Sequence, residues 1–247
     1  MNKILEVCCG SYLDALEAEK GGAKRIELNS ALHLGGLTPS LSNLVLTKQN
    51  TNLNVICMVR NRAGGFCYDK QDLECMFYDA KMMLEHGADG LAFGFLKEDK
   101  SIDIELTTKM VELVHEYHKE AVFHRAIDVC SRYEDSFPEL IACGVDRVLT
   151  SGSYVRAIEG VDRIRKMQQQ YGDQIEILVG CGIDETNADY VLINAGVSQI
   201  HSSCKCIRHD PTSSNYGVNF SYIETNKYHV VDKERVKNMM EVIDKIK

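Results

Sequence analysis

The chain is short of everything that would carry it to a membrane or to nucleic acid. No apolar run approaches the roughly 18–20 residues of a spanning helix, and no run of Lys and Arg occurs. The 28 basic residues are outnumbered by 36 acidic ones, for a net charge of −8. A negative overall field without a basic patch repels polyanions, so nucleic acid is excluded as an expected partner, and no membrane association is expected either. Met1–Cys9 lacks the apolar stretch of roughly 7–15 residues that marks a secretory signal, which makes the cytoplasm the expected location. Ten cysteines are present but none in Cys-x-x-Cys spacing; the short-range pairs are Cys8-Cys9 and Cys204-x-Cys206. In a chain of 247 residues with no export signal, these thiols are expected to be reduced and mostly packed as small hydrophobes. The glycine-rich phosphate fingerprint of a doubly wound sheet is also missing after the first strand, where "CCGSYLD" stands instead. Ser11 and Asp14 in that stretch read as the cap of a helix.

Hydrophobic residues make up 45% of the chain, enough for a sizeable core, and they are arranged in a repeat. "GAKRIEL" (22–28), "GADGLAF" (87–93), "GVDRVLT" (144–150) and "GVSQIHS" (196–202) share one form: glycine, a small apolar residue, two mostly polar residues and an apolar run. Each follows an amphipathic stretch, so the glycine reads as the residue after a helix and the run as a buried strand. The intervals are about twice one βα unit. Second strands are found in "KILEVC" (3–8), "NVICMV" (54–59), "AVFH" (121–124) and "EILVG" (176–180), with helical periodicity over 72–85 and 104–118. Eight short strands alternating with helices predict an α/β fold, a (β/α)8 TIM barrel over residues 1–203. Residues 204–247 are expected to form an irregular polar segment and then a helix from about Asp232 to Lys247. Val236, Met239, Met240, Ile243 and Ile246 would pack that helix on the barrel or on a partner subunit.

Chemistry in such a barrel belongs at the carboxyl ends of the strands. Those positions carry Glu6 and Cys8, Glu27 and Asn29, Arg60 and Arg62, then His124, Arg125 and Asp128, with Thr150, Ser151, His201 and Ser203 on the later strands. Glu6 and Glu27 stand inside apolar strands, where an unpaired carboxylate is costly, and Arg60, Arg62 and His124 are their expected partners. Such a network either closes the barrel mouth structurally or brings acid, base and imidazole together at a site. The candidate catalytic residues are Glu6, Glu27, Arg60, Arg62, His124 and Asp128, with His124 as the proton-transfer group. Two loops resemble anion cradles. Gly180-Cys181-Gly182 ends the seventh strand and opens a helix, and Ser202, Ser203 and Lys205 end the eighth. Gly180, Gly182, Ser202 and Ser203 are therefore the expected binding residues for a small anionic ligand. Neighbouring side chains on a strand point to opposite faces, so Cys8 and Cys9 do not chelate one ion together. Cys8, on the face of Glu6, is the candidate metal ligand, with companions to come from Cys67, His124 or His201. Cys204 and Cys206 form a second candidate pair.

"LEVCC" (5–9), "GGAKRIELNSALHLGGLTPS" (21–40), "GGFCY" (64–68), "GADGLAFG" (87–94), "FHRAIDVC" (123–130), "RVLTSG" (147–152) and "QIHSS" (199–203) stand in an order that resembles the CutC family, the copper homeostasis protein family. The resemblance runs from about Leu5 to Ser203 and implies a TIM barrel, a cytoplasmic homo-oligomer and a role in copper homeostasis with Cu(I) binding. The family's usual loop "RPRGGDF" is here "RNRAGGF" (60–66); Asn61, Ala63 and Gly65 stand where it has proline, glycine and aspartate, so the acidic group of that loop is gone. Two functions follow. One is a copper-homeostasis protein holding Cu(I) through Cys8; the alternative is a TIM-barrel enzyme using acid–base groups on a small anionic, phosphorylated or sugar-like substrate.

Overall fold

The computed structural model describes residues 3–246. The expected limits at residues 1 and 247 lie outside them. The elements run β1 (Ile4–Cys9), α1 (Tyr12–Lys20), β2 (Arg25–Leu28), α2 (Leu41–Asn50), β3 (Asn54–Met58), α3 (Lys70–Glu85), β4 (Gly90–Phe93), α4 (Ile104–Glu116), β5 (Glu120–Phe123) and α5 (Ser136–Ala142). They continue with β6 (Arg147–Thr150), α6 (Val161–Tyr171), β7 (Glu176–Gly180), α7 (Ala188–Ala195), β8 (Gln199–Ser202), β9 (Lys205–His209), β10 (Ser214–Asn215), β11 (Val218–Asn219), β12 (Lys227–Val231) and α8 (Lys233–Asp244). Strands β1 to β8 pair in parallel, each with the next, and β1 closes on β8. The fold is a (β/α)8 barrel. Among the described residues, no helix is long and apolar enough to cross a membrane.

The repeated glycine is what ends each helix in time for the next strand. It takes the left-handed conformation at Gly22 (φ +99°), Gly87 (φ +95°), Gly144 (φ +81°) and Gly196 (φ +72°), where any Cβ would be strained. At the other end of α1, Ser11 caps the helix by accepting from the Asp14 N–H at 3.2 Å. Outward-facing strand residues such as Val7, Ile26, Cys57 and Val148 are fully buried beneath the helices. Cys9 belongs to this outer layer, so strand alternation separates it from Cys8 as the sequence predicts.

Two kinds of interior fill the barrel. Towards β3, β4 and β5 it is apolar, with Ile56, Met58, Ala92 and Val122 forming their own small cluster. Towards β1, β2, β6 and β8 it is charged. Glu6 Oε2 lies 2.7 Å from Arg25 Nε and 3.7 Å from an Arg147 nitrogen. Arg147 continues the column to Glu120 at 2.7 Å and Glu176 at 2.9 Å, while Arg25 donates to Gln199 at 2.5 Å. Glu6 is thus paired with Arg25 and Arg147, from the polar positions of two repeat units, and with His201, and not with the expected Arg60, Arg62 or His124.

After β8 the chain is more ordered than its composition predicts. β9 and β12 pair antiparallel through five residue pairs, and β10 with β11 forms a small hairpin between them. Asp14 anchors this ribbon to the barrel by accepting the Val231 N–H at 2.9 Å. Helix α8 then lies against α1 and α7, burying Val236, Met239 and Ile243. It ends at Asp244, short of the expected Lys247.

Candidate metal centre

The carboxyl ends of the strands open into a cavity of about 1040 Å³. Its floor and walls come from strand ends, and its outer wall from Tyr222, Tyr228, His229 and Val230 of the ribbon. Tyr222 stacks on His33 from the loop after β2, with ring centroids 4.4 Å apart.

Three neighbouring strands bring three ligand-type side chains together at this mouth. Cys8 of β1, Glu27 of β2 and His201 of β8 each present one donor atom, and these atoms all lie within 4.8 Å of one another. Register makes the meeting inevitable: Cys8 is paired with Glu27, and His201 with Glu6, one inward position below Cys8. Cys8 Sγ is 3.9 Å from Glu27 Oε2, and His201 Nε2 is 3.8 Å from the same carboxylate. Asn29 donates to Glu27 Oε2 at 2.9 Å and lies 3.7 Å from Cys8 Sγ. Beneath them, Glu6 Oε1 stands 3.1 Å from His201 Nδ1, which holds that nitrogen as the donor and leaves Nε2 turned toward Glu27 and Cys8. A carboxylate behind a histidine is the arrangement that orients metal-ligating imidazoles.

Electrostatics follow from this crowding. Burial pulls the His201 pKa down, but Glu27, Cys8 and Glu6 outweigh it and lift it well above the ordinary value. The two carboxylates that flank the ring favour its protonated form. Burial alone would raise Glu6; the hydrogen bond from His201 and the charges of Arg25 and Arg147 reverse this and bring it down to about 2. Glu27 ends above its ordinary value because burial outweighs the attraction of His201. Burial outweighs the hydrogen bond and charge of His201 and raises Cys8 above its ordinary value. At Arg25, burial outweighs the attraction of Glu6 and lowers the pKa, although a guanidinium stays charged at neutral pH. A metal cation in this position would take the place of the protons on His201 and Cys8.

A family model described as CutC family matches residues 3–206. The chain belongs to the CutC family. The family protein CutC of Treponema denticola is 48% identical over 209 residues, 85% of this chain and 84% of its own. The human copper homeostasis protein cutC homolog is 37% identical over 205 residues, 83% of this chain and 74% of its own. A crystal structure of CutC from Streptococcus agalactiae matches the fold with a TM-score of 0.76 at 30% identity, covering 81% of this chain and 98% of that one.

Within this family barrel the other candidate residues separate into groups. Arg60, just after β3, and His124, just after β5, line the same cavity. Arg62 does not reach it: its guanidinium is bound by Asp72 at 2.6 Å, outside the barrel mouth. Asp128 lines the cavity but is used to build the loop after β6, accepting from Thr150, Ser151 and Ser153 as well as Arg125. Gly180, Gly182, Ser202 and Ser203 all line the cavity. The glycines do not open a helix, since α7 begins only at Ala188. The Ser202 hydroxyl is committed to the Ile183 carbonyl at 2.7 Å, and Gly180 is needed for space, because a Cβ there would stand 3.1 Å from that of His201. Cys67 is exposed and Cys204 is buried, and among the described residues neither belongs to a cluster of three or more ligand-type side chains. His201 and Asn29 complete the cluster around Cys8. Both stand at strand ends, yet a single imidazole or amide in a sequence carries no sign of which strands will meet.

Proposed function

We propose that this chain takes part in copper homeostasis by binding one Cu(I) ion at Cys8, Glu27 and His201. The observation that carries the reading is the convergence of a thiol, an imidazole and a carboxylate from three adjacent strands within 4.8 Å. Thiolate and imidazole suit soft ions, and thiolate in particular favours Cu(I). Glu27 supplies negative charge, Asn29 fixes its orientation, and Glu6 holds the His201 ring from behind. The name of the human relative, a copper homeostasis protein, supports copper as the cargo. All ten cysteines are unpaired thiols, which fits a reducing compartment and supports a cytoplasmic location.

The test is anaerobic competition for Cu(I) against a chromophoric chelator, with Zn(II) as a parallel arm. One Cu(I) per chain is expected, and Cys8→Ser should lower the affinity by about 100-fold or more through loss of the soft ligand. Undiminished Cu(I) binding by Cys8→Ser, or retention of Zn(II) in preference to Cu(I), would overturn the reading.

A further inference from the structure

A cavity of about 1040 Å³ is far larger than an ion needs and matches the size of pockets that hold organic molecules. Apart from the three ligand residues it has a second polar corner with unmet bonding capacity. Arg60 is 5% exposed and His124 is 3% exposed, and both line the cavity. Arg60 donates to the carbonyls of Leu34, Gly36 and Gly64 at 3.0, 2.9 and 2.7 Å, and its Nε has no hydrogen-bond partner among the described residues. Among the described residues, no carboxylate lies within ion-pair distance of it; Asp72, which the neighbouring loop supplies, is taken by Arg62. The Tyr68 hydroxyl beside Arg60 is held up to about 12 by burial and stays neutral, so it does not balance the charge. A buried cation whose partners are all uncharged calls for an anion.

His124 meets the same need from β5. Its Nδ1 accepts the Ala126 N–H at 3.2 Å, so the ring proton sits on Nε2. Nε2 has no acceptor among the described residues. Burial and the charge of Arg60 bring the ring pKa down to about 3, which keeps it a neutral donor. Gly94, at the end of the strand between them, makes room: a Cβ there would stand 2.5 Å from His124 Cε1. Phe66 covers the corner, its ring centroid 4.9 Å from that of His124 and 5.3 Å from the Arg60 guanidinium carbon. Neither free nitrogen is open to solvent, so an incoming group must turn Phe66 aside.

We propose that Arg60 and His124 form a subsite for the oxyanion of a small organic acid, a carboxylate or a phosphate ester, lodged in the barrel mouth. One ligand oxygen accepts from His124 Nε2–H and lies in the field of Arg60, while Phe66, Leu149 and Tyr222 offer apolar surface to the carbon skeleton. The subsite uses none of the three metal-ligand residues, so it stands or falls apart from the copper reading.

The experiment is calorimetric titration and thermal denaturation of the metal-free full chain with succinate, glycerol 3-phosphate, inorganic phosphate and, as a neutral control, succinamide. At least one of the two organic acids should bind and raise Tm while succinamide does not, and the one that binds assigns the class. Affinity should fall roughly tenfold or more in His124→Asn, which keeps an acceptor for Ala126, and in Arg60→Lys, which keeps the charge. A readout free of substitution is the His124 Nε2 resonance in long-range ¹H–¹⁵N spectra, which should move on saturation with the acid. Binding of neither organic acid, binding of inorganic phosphate alone, equal affinity in both variants, or an unmoved Nε2 resonance would each overturn the proposal.

Discussion

Replacing Glu6 with glutamine tests the charged half of the barrel interior. The side chain is 1% exposed, and it meets Arg25 at 2.7 Å, His201 at 3.1 Å and Arg147 at 3.7 Å. Its pKa falls from 4.5 to about 2 on folding. Each unit corresponds to about 1.4 kcal/mol, so the ionised carboxylate contributes about 3 kcal/mol at neutral pH. Removing one partner of a buried pair gives a consistent figure, about 3–5 kcal/mol. The lower end applies because Arg147 keeps Glu120 and Glu176. Since the folded pKa lies below the unfolded one, this stability is fully present above pH 4.5 and is lost as pH falls through about 2. Urea denaturation should therefore show Glu6→Gln weaker than the parent by about 3 kcal/mol at pH 7 and by about 2 kcal/mol at pH 3.5. At pH 7 the melting temperature should drop by roughly 6–12 °C. A deficit below about 1 kcal/mol at pH 7, or one that does not shrink in acid, would refute the reasoning that links this charge to folding.

Three further outcomes follow from other parts of the molecule. Gly21→Ala puts a Cβ 2.5 Å from that of Val236 and 2.7 Å from the Lys233 carbonyl; pushing α8 off α1 should cost about 1–3 kcal/mol in chemical denaturation. Asp128→Ala leaves the N–H groups of Ser151 and Ser153 without their acceptor, and unfolding should become easier by about 3 kcal/mol. On the proposed Cu(I) reading the ion would displace protons from Cys8 and His201, both raised by their surroundings, so its apparent affinity should climb with pH. Chelator competition between about pH 6 and 8 should find up to about two decades per pH unit, and a flat profile would show that neither proton is released.

The barrel was legible because its signal is periodic. Four glycine-led repeat units and four intervening apolar runs became eight strands, with boundaries shifted by a residue or so at β1, β3 and β5. Cys8 and Glu6 were legible for the same reason, since alternation along one strand fixes a shared face. What lay hidden was pairing across strands. Glu6 announced that a buried cation must exist, but "GAKR" and "GVDR" present Arg25 and Arg147 as ordinary polar residues ahead of a strand. Only barrel closure shows that these positions point inward at the level of Glu6. The recurrence of arginine at the same place in two units was the available clue. Arg62 illustrates the converse: it stands two residues from Arg60, yet the chain leaves the strand after Met58, so alternation no longer governs it and Asp72 captures it. The ribbon after β8 was hidden because its strands are short, exposed and polar, and antiparallel pairing leaves little trace in such a composition.

That ribbon divides labour along the chain. The groups that would hold an ion or an acid all sit on barrel strand ends within residues 3–206, whereas Tyr222, Tyr228 and His229, which face whatever approaches, lie beyond that segment. The ligand-type groups and the outer wall of the cavity thus come from consecutive stretches of the chain. A substitution at Tyr222, Tyr228 or His229 alters the outer wall of the cavity and leaves the strand-end residues Cys8, Glu27 and His201 in place.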